Sequence, residues 1–249
     1  MNNIKLDKKL QLDNLRQALF SEPPKPPTIV FCLPGRTFSN KFLLAWSDLL
    51  LNLTRMGFNI RISQRYTSNV YYVRNMCLGG DVMRGTHQKP FDGKLDYDYM
   101  MWIDSDIVFT VDQFLKLLNH KKDIVSGLYL MDGGTHYATV KDWDREYFRK
   151  NSTFQFLTPQ FVNDWKTKNP NKLMEVEYTG FGFMLVKKGI FEKLKYPWFS
   201  PIYEKDMGKD VVDFCSEDVS FCQKVIKKGF KINIDPDIVV GHEKTFVYK

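Results

Sequence analysis

The sequence predicts an α/β fold in which helices flank a central, mainly parallel sheet. Short apolar runs alternate with amphipathic runs in the first half of the chain, which is the pattern of strands joined by helical crossovers. The 249 residues are 43% hydrophobic and 15% aromatic, which supplies one substantial core and excludes a disordered chain. No apolar run reaches the roughly 18 residues that a membrane-spanning helix requires.

The first 27 residues are expected to form a unit of their own. Leu12, Leu15 and Leu19 share one face of an amphipathic helix predicted within residues 1–20. Residues 22–27 contain four prolines, which exclude a helix and favour an extended spacer. We therefore expect a helix and proline-rich spacer over residues 1–27, followed by a single domain over residues 28–249.

The elements of this domain alternate in its first half and become irregular in its second. Ser39 is placed to cap the first helix and Gly57 to end it. The predicted order is a strand at 28–33, a helix at 39–56, a strand at 58–63, a helix at 71–84, a strand at 99–103, a helix at 111–119 and a strand at 123–130. Residues 143–171 show no clear period. A strand at 174–186, a polar loop at 200–213, a helix at 217–228 and short strands at 231–234 and 238–240 follow.

The net charge indicates which partners the protein could bind, and the cysteine content indicates its cellular compartment. The formal net charge of +7 fits an anionic partner. The basic residues are dispersed and no nucleic-acid-binding motif is present, so we expect no nucleic acid partner. Four cysteines without a CxxC pair indicate reduced thiols, and the first residues are too polar for a signal peptide. We expect a cytoplasmic protein without a transmembrane segment.

Two carboxylates follow the predicted central strand at 99–103. Asp104 and Asp106 lie where ligands bind in open α/β sheets, beyond the carboxyl end of a strand. Alternate residues of an extended segment point the same way, so both carboxylates can share one ligand. Hard divalent ions prefer carboxylate oxygens, so Mg²⁺ or Mn²⁺ carrying a diphosphate would suit them. A surface turn with two solvated aspartates is the alternative.

A second acidic pair opens the last predicted helix. Glu217 and Asp218 lie in its first turn, where a favourable interaction with the helix dipole also explains acidic residues. His242 follows the last predicted strand and is either a structural histidine or a metal ligand. A zinc site formed by Cys215, Cys222 and His242 is disfavoured, because the cysteines would lie more than about 10 Å apart along a helix.

Together these motifs resemble those of GT-A-fold glycosyltransferases, especially family-2-like enzymes, across residues 28–242. Such enzymes carry the Asp104-Ser105-Asp106 type of DxD motif, an acidic pair opening a helix, and a final histidine. Similar compact enzymes are encoded by large DNA viruses and phages. The resemblance implies a Rossmann-like sheet with a short antiparallel extension and a nucleotide-sugar donor.

The resemblance also implies roles for particular residues. Asp106 would bind the metal, Asp104 the metal or the donor ribose, and His242 would complete the metal site. Asp218 would be the catalytic base, supported by Glu217. The remaining candidates are Gly180, Phe181 and Gly182, facing sugar and acceptor, and Pro34, Gly35, Arg36, Gln64, Arg65, Arg74 and Ser105, facing the donor nucleotide. Arg74 suits a diphosphate by bidentate pairing. Family-2 enzymes often have an aspartate near position 64, and this chain has none.

The expected reaction is sugar transfer from a nucleotide-diphosphate sugar to a hydroxyl of a glycan, glycoprotein or other acceptor, with inversion. The loop at 200–213 is a candidate lid that excludes water. Alternatives are a sugar-nucleotide pyrophosphorylase, a nucleic-acid-binding protein or nuclease, and a non-catalytic binding module. A pyrophosphorylase would have a richer glycine loop after the first strand than Pro34-Gly35-Arg36.

Overall fold

The computed structural model of the chain describes residues 26–204 and 212–245. It confirms the predicted fold class. The helices are α1 Asn40–Arg55, α2 Val70–Cys77, α3 Val111–Asn119, α4 Arg145–Asn151, α5 Pro159–Lys168 and α6 Glu217–Lys227. Short 3₁₀ turns occur at Val82–Arg84, Pro90–Gly93 and Phe191–Lys193.

Seven strands form the central sheet and six more form small two-stranded sheets. The central strands are β1 Thr28–Pro34, β2 Asn59–Arg65, β3 Tyr99–Ile103, β5 Ile124–Leu128, β7 Met174–Val176, β9 Phe183–Lys187 and β12 Ile232–Val239, in the order β2-β1-β3-β9-β5-β12-β7. The short strands are β4 Ile107–Val108, β6 Thr139–Val140, β8 Tyr178–Thr179, β10 Ile202–Glu204, β11 Asp213–Cys215 and β13 Gly241–His242. In the central sheet, β1, β2, β3, β5 and β12 run parallel to one another, whereas β7 and β9 run antiparallel to their neighbours.

Alternating side chains of the buried strands divide the core into two layers. In β3, Trp102 points into one layer and Met101 into the other, because successive residues of a strand face opposite sides of a sheet. The Trp102 layer is closed by α2 and α6, and the Met101 layer by α1 and α3. The central strands are therefore covered on both faces, as expected for a mainly parallel sheet.

Helix boundaries follow the local capping chemistry. Ser39 caps α1 as predicted, because its side chain accepts a hydrogen bond from the backbone N–H of Phe42. The predicted helix over 71–84 is wrong in its second half. The backbone N–H groups of Gly79 and Gly80 turn back to carbonyls of the last helical turn, and Gly79 adopts a φ of 69°. Glycine readily adopts this conformation and so ends α2 there.

The second half of the chain differs most from the prediction. The single strand predicted at 174–186 is three strands in two different sheets, with β7 and β9 in the central sheet and β8 in a small sheet with β6. The unassigned region 143–171 contains α4 and α5. The two short strands predicted near the end are one strand, β12. The segment 1–25 and residues 205–211 of the predicted lid lie outside the described residues. Within the described residues, no helix is long and apolar enough to cross a membrane.

Candidate active site

Several of the predicted site residues lie at the edge of the sheet where the parallel strands end. Asp104 follows β3, Gly35 follows β1, and Tyr129 follows β5. His242 arrives through β13, which pairs with β4 and places His242 opposite Ile107. The sheet itself therefore brings together residues that are far apart in the sequence.

Asp104 and Glu217 are joined by the buried side chain of Arg74. Arg74 Nη1 and Nη2 donate to the two carboxylate oxygens of Asp104 at 2.9 and 3.0 Å, and its Nε donates to Glu217 Oε1 at 2.9 Å. Arg74 and Glu217 are each 4% exposed. The DxD segment and the start of α6 are thus connected by one guanidinium.

The electrostatics of this cluster follow from its burial. Burial alone would lower the pKa of Arg74, but the carboxylates of Asp104 and Glu217 raise it. Burial raises the pKa of Glu217. The positive charge of Arg74 lowers this pKa, and the negative charge of Asp218 raises it further. The described donors of Arg74 are directed at these two carboxylates, and its side chain is buried, which differs from the expected contact with a diphosphate. Likewise, Glu217 is held in the interior.

Asp106 faces a different set of partners. His242 Nε2 lies 3.1 Å from Asp106 Oδ2, and Lys244 Nζ donates to the same oxygen at 3.0 Å. Burial would raise the pKa of Asp106, but its hydrogen bonds with His242 and Lys244 lower it to about 2. The bond to Asp106 raises the pKa of His242 against the effect of burial. Asp106 therefore remains ionised over the physiological range.

The second nitrogen of His242 is fixed by the backbone. Nδ1 lies 2.6 Å from the carbonyl oxygen of Leu130. Since a carbonyl only accepts, Nδ1 carries the proton and donates it. In the neutral ring, Nε2 then directs its lone pair at the Asp106 carboxylate. That contact is favourable only when a proton or a cation lies between the two groups.

Asp218 is half-buried at the start of α6 and is held by three hydrogen bonds. The hydroxyl of Tyr178 donates to Oδ2 at 2.9 Å, and the Ser216 hydroxyl and the Val219 N–H donate to Oδ1. A carboxylate offers about four lone-pair directions, so one on Oδ2 remains open. Burial raises the pKa of Tyr178, and Asp218 raises it further, so this hydroxyl stays protonated as a donor.

Tyr129 lies among these groups and, like Lys244, was not among the residues predicted from the sequence. Its ring packs edge-on to His242, with centroids 5.1 Å apart, and its hydroxyl accepts the N–H of Gly182 at 3.2 Å. Burial raises its pKa, and the charges of Asp104 and Asp218 raise it further. The available signal was its position near the end of the strand predicted at 123–130, which in the structure ends at Leu128, since ligands bind beyond such strand ends.

The glycines at 180 and 182 are explained by this tyrosine. A Cβ at Gly180 would lie 2.0 Å from the Tyr129 hydroxyl, and one at Gly182 would lie 2.7 Å from its ring. The expectation that Phe181 faces a sugar is not met, because Phe181 is 1% exposed and packs against Trp102 in the core. These glycines thus allow close packing inside the protein.

The ends of β1 and β2 form the exposed part of the site. Gly35 donates its N–H to the Arg65 carbonyl, and the Gln64 side chain donates to the Gly35 carbonyl at 2.5 Å. The Arg36 guanidinium lies 5.7 Å from the ring centroid of Tyr66, which is 49% exposed. Pro34 is buried, and Ser105 lies so close to Gly35 that a Cβ there would be 2.6 Å from the Cβ of Ser105.

The fit of these residues to a metal ion is partial. Asp106 and His242 direct an oxygen and a nitrogen at each other, whereas the predicted third ligand, Asp104, is occupied by Arg74. Among residues 26–204 and 212–245, no three His, Cys, Asp or Glu side chains form a group that could hold a metal. Any ion held there would therefore have at most two His, Cys, Asp or Glu ligands from the described residues.

Comparisons with known proteins give structural similarities only. No protein-family model and no curated protein sequence matches the chain. A crystal structure of GalNAc-T7 with UDP, GalNAc and Mn²⁺ is similar at 13% identity and a TM-score of 0.46, covering 89% of this chain and 44% of that one. The inositol-1-phosphate CTP transferase from T. maritima is similar at 7% identity and a TM-score of 0.40, covering 90% and 91%. This chain thus spans less than half the length of the GalNAc-T7 chain.

Proposed function

We propose that this protein is a metal-dependent glycosyltransferase that moves a sugar from a nucleotide-diphosphate sugar to an acceptor hydroxyl. The observation that carries the proposal is the meeting of two acidic motifs at one sheet edge. Asp104 and Glu217 share Arg74, and the half-buried residues Asp106 and Asp218 follow them in the chain by two residues and one residue. Sugar transfer needs two carboxylates with separate roles: one binds the metal ion that holds the donor diphosphate, and the other accepts the proton of the acceptor hydroxyl.

Asp106 and His242 are the proposed metal ligands. The fixed Nδ1–H of His242 leaves Nε2 free to coordinate, and Asp106 supplies an ionised oxygen. Carboxylates suit Mg²⁺ and Mn²⁺, and imidazole suits transition metals, so Mn²⁺ matches both ligands. When bound, the ion supplies Lewis-acid stabilisation of charge on the departing diphosphate. Asp104 is assigned to positioning, through Arg74.

Asp218 is the proposed general base. Its open Oδ2 direction accepts the proton of the acceptor hydroxyl while that oxygen bonds to the anomeric carbon of the sugar. The bond from this carbon to the diphosphate oxygen breaks, and the diphosphate leaves with the electron pair. One displacement inverts the anomeric carbon, as the resemblance of residues 217–242 to family-2-like enzymes implies. Tyr178 and Ser216 hold the carboxylate in place.

The donor nucleotide is assigned to the exposed ends of β1 and β2. Tyr66 offers an exposed ring for stacking on a base, Arg36 lies over that ring, and Gln64 and Arg65 precede it at the end of β2. Because Arg74 is committed to carboxylates, Lys244 is the cation that we assign to the diphosphate. It already lies 3.0 Å from Asp106 and is partly exposed.

Product analysis tests the proposal. Purified protein is incubated with Mn²⁺ and labelled nucleotide sugars, and the nucleotide products are separated. A transferase or its background hydrolysis releases nucleoside diphosphate, whereas a pyrophosphorylase exchanges pyrophosphate with nucleoside triphosphate. Pyrophosphate exchange without nucleoside diphosphate would contradict the proposal.

The matched variants are Asp218→Asn and Asp112→Asn. Both remove an acidic residue from the first turn of a helix, so both lose a similar interaction with the helix dipole. Only Asp218 lies at the proposed site. Transfer should fall by about 10²–10⁴-fold for Asp218→Asn and remain unchanged for Asp112→Asn.

A further inference from the structure

The outward face of α1 carries an uncharged stripe that includes three exposed leucines. Leu43, Leu44 and Leu51 are 59%, 70% and 57% exposed. At 3.6 residues per turn they fall within an arc of about 100° that also contains the uncharged polar residues Asn40, Ser47 and Thr54. A surface helix normally directs charged residues outward, so three exposed leucines in one arc call for a covering partner.

The charged residues of α1 avoid this stripe. Lys41, Asp48 and Arg55 are the charged residues of the helix, and all three fall outside the arc at the same helical spacing. The inward face of α1 is occupied separately by Leu49 and Leu53, which are fully buried against the sheet. The described residues of the chain leave the leucine stripe open, and its lack of charge suits an apolar partner.

The segment 1–25 joins the described domain at one end of this helix. The Cγ atom of Pro26 lies 3.8 Å from the Cβ position of Gly57, and Gly57 follows the last turn of α1. Pro26, the first described residue, therefore lies near the C-terminal end of α1. Their sequence places Leu12, Leu15 and Leu19 on one helical face.

The reach of this segment matches the length of the stripe. Leu19 is seven residues before Pro26, and an extended proline-rich strand of that length spans about 22 Å. The 16 residues of α1 span about 24 Å. The leucines can thus return along α1 over most of its length.

We propose that residues 1–25 dock on the outward face of α1 of the same chain, through Leu12, Leu15 and Leu19 packing on Leu43, Leu44 and Leu51. The short connection gives the segment an effective concentration in the millimolar range, which favours its own chain over a second copy. The proposal does not depend on the proposed function.

Disulfide trapping in the full-length chain tests it. The variant Leu15→Cys with Leu51→Cys places a thiol in each proposed partner. The control Gln17→Cys with Leu51→Cys moves the first thiol about 200° around the predicted helix. The native cysteines, Cys32, Cys77, Cys215 and Cys222, are buried and do not compete.

The expected result is an intramolecular disulfide in the Leu15 pair, with a rate unchanged by about tenfold dilution and a yield about tenfold above that of the Gln17 pair. A mixture of the two single-cysteine variants should give no dimer. Equal trapping of both pairs, or no trapping, would overturn the proposal. Covalent dimers from the mixture would instead assign the stripe to a second copy of the chain.

Discussion

Replacing Arg74 by methionine should cost more stability than any other single loss of an ion pair described above. The change removes three charge-assisted hydrogen bonds and leaves the Glu217 carboxylate, whose side chain is 5% exposed, without a cation. Asp104 has a side chain 26% exposed and can be hydrated in part. Removing one partner from a buried pair costs about 3–5 kcal/mol, and most of it should come from Glu217.

The loss of stability in Arg74→Met should depend on pH in a defined direction. Burial raises the pKa of Glu217 in the folded state, and the loss of Arg74 removes the main opposing effect. Between the unfolded pKa of about 4.3 and the raised folded pKa, the folded state binds more protons. Stability of Arg74→Met should therefore fall as pH rises through this window, by at most about 1.4 kcal/mol per pH unit. Below the window the cost of the buried charge disappears.

Urea unfolding at several pH values measures these effects. The matched control is Arg84→Met, because Arg84 also lies near two aspartates, Asp81 and Asp92, but on the surface. Its loss should cost no more than about 1 kcal/mol. Adding Glu217→Gln to Arg74→Met should recover part of the stability, since it removes the buried charge. A loss as small as that of Arg84→Met, or a loss independent of pH, would refute the assignment.

Three further predictions concern the edge of the sheet. Asp106→Ala should abolish Mn²⁺-dependent binding of nucleotide sugars in a calorimetric titration. The control Asp132→Ala also removes a carboxylate near Lys244 and should retain this binding. Binding retained by both variants would contradict the assignment of Asp106 as a metal ligand. Gly180→Ala should cost about 1–3 kcal/mol by overpacking against Tyr129, and the cost should shrink in a Tyr129→Phe background; equal costs in both backgrounds would contradict the packing. The pKa of His242 is raised, so below that pKa a proton should compete with Mn²⁺ for the imidazole. The apparent Mn²⁺ affinity should therefore increase with pH by up to about tenfold per pH unit and level off above the pKa. An affinity independent of pH would exclude His242 as a ligand.

The sequence was most informative where topology alone decides position. Asp104, Asp106 and His242 each follow a strand, and parallel strands end at one edge, so their meeting could be expected before the structure was known. The start of α6 was also predictable, because Ser216, Glu217 and Asp218 form a recognisable helix beginning.

Contacts between side chains that are far apart in the sequence could not be predicted from the sequence. Nothing local distinguishes an arginine that binds a diphosphate from one that joins Asp104 to Glu217, since both need the same guanidinium fork. The glycines at 180 and 182 likewise indicated close approach, and only the structure identifies Tyr129 as the group that approaches. These are tertiary contacts between elements that share no sequence pattern.

The most direct test of the account is thermal unfolding with a panel of nucleotide diphosphates and nucleotide sugars, with and without Mn²⁺. A ligand that binds only the folded state at about 100 times its Kd adds about 2.7 kcal/mol of stability. For a chain of this size that corresponds to a rise in Tm of roughly 5–11 °C. Such a rise in Tm is expected for one nucleotide family and only with Mn²⁺, and it should be absent in Asp106→Ala. No rise with any nucleotide in the presence of Mn²⁺ would contradict it.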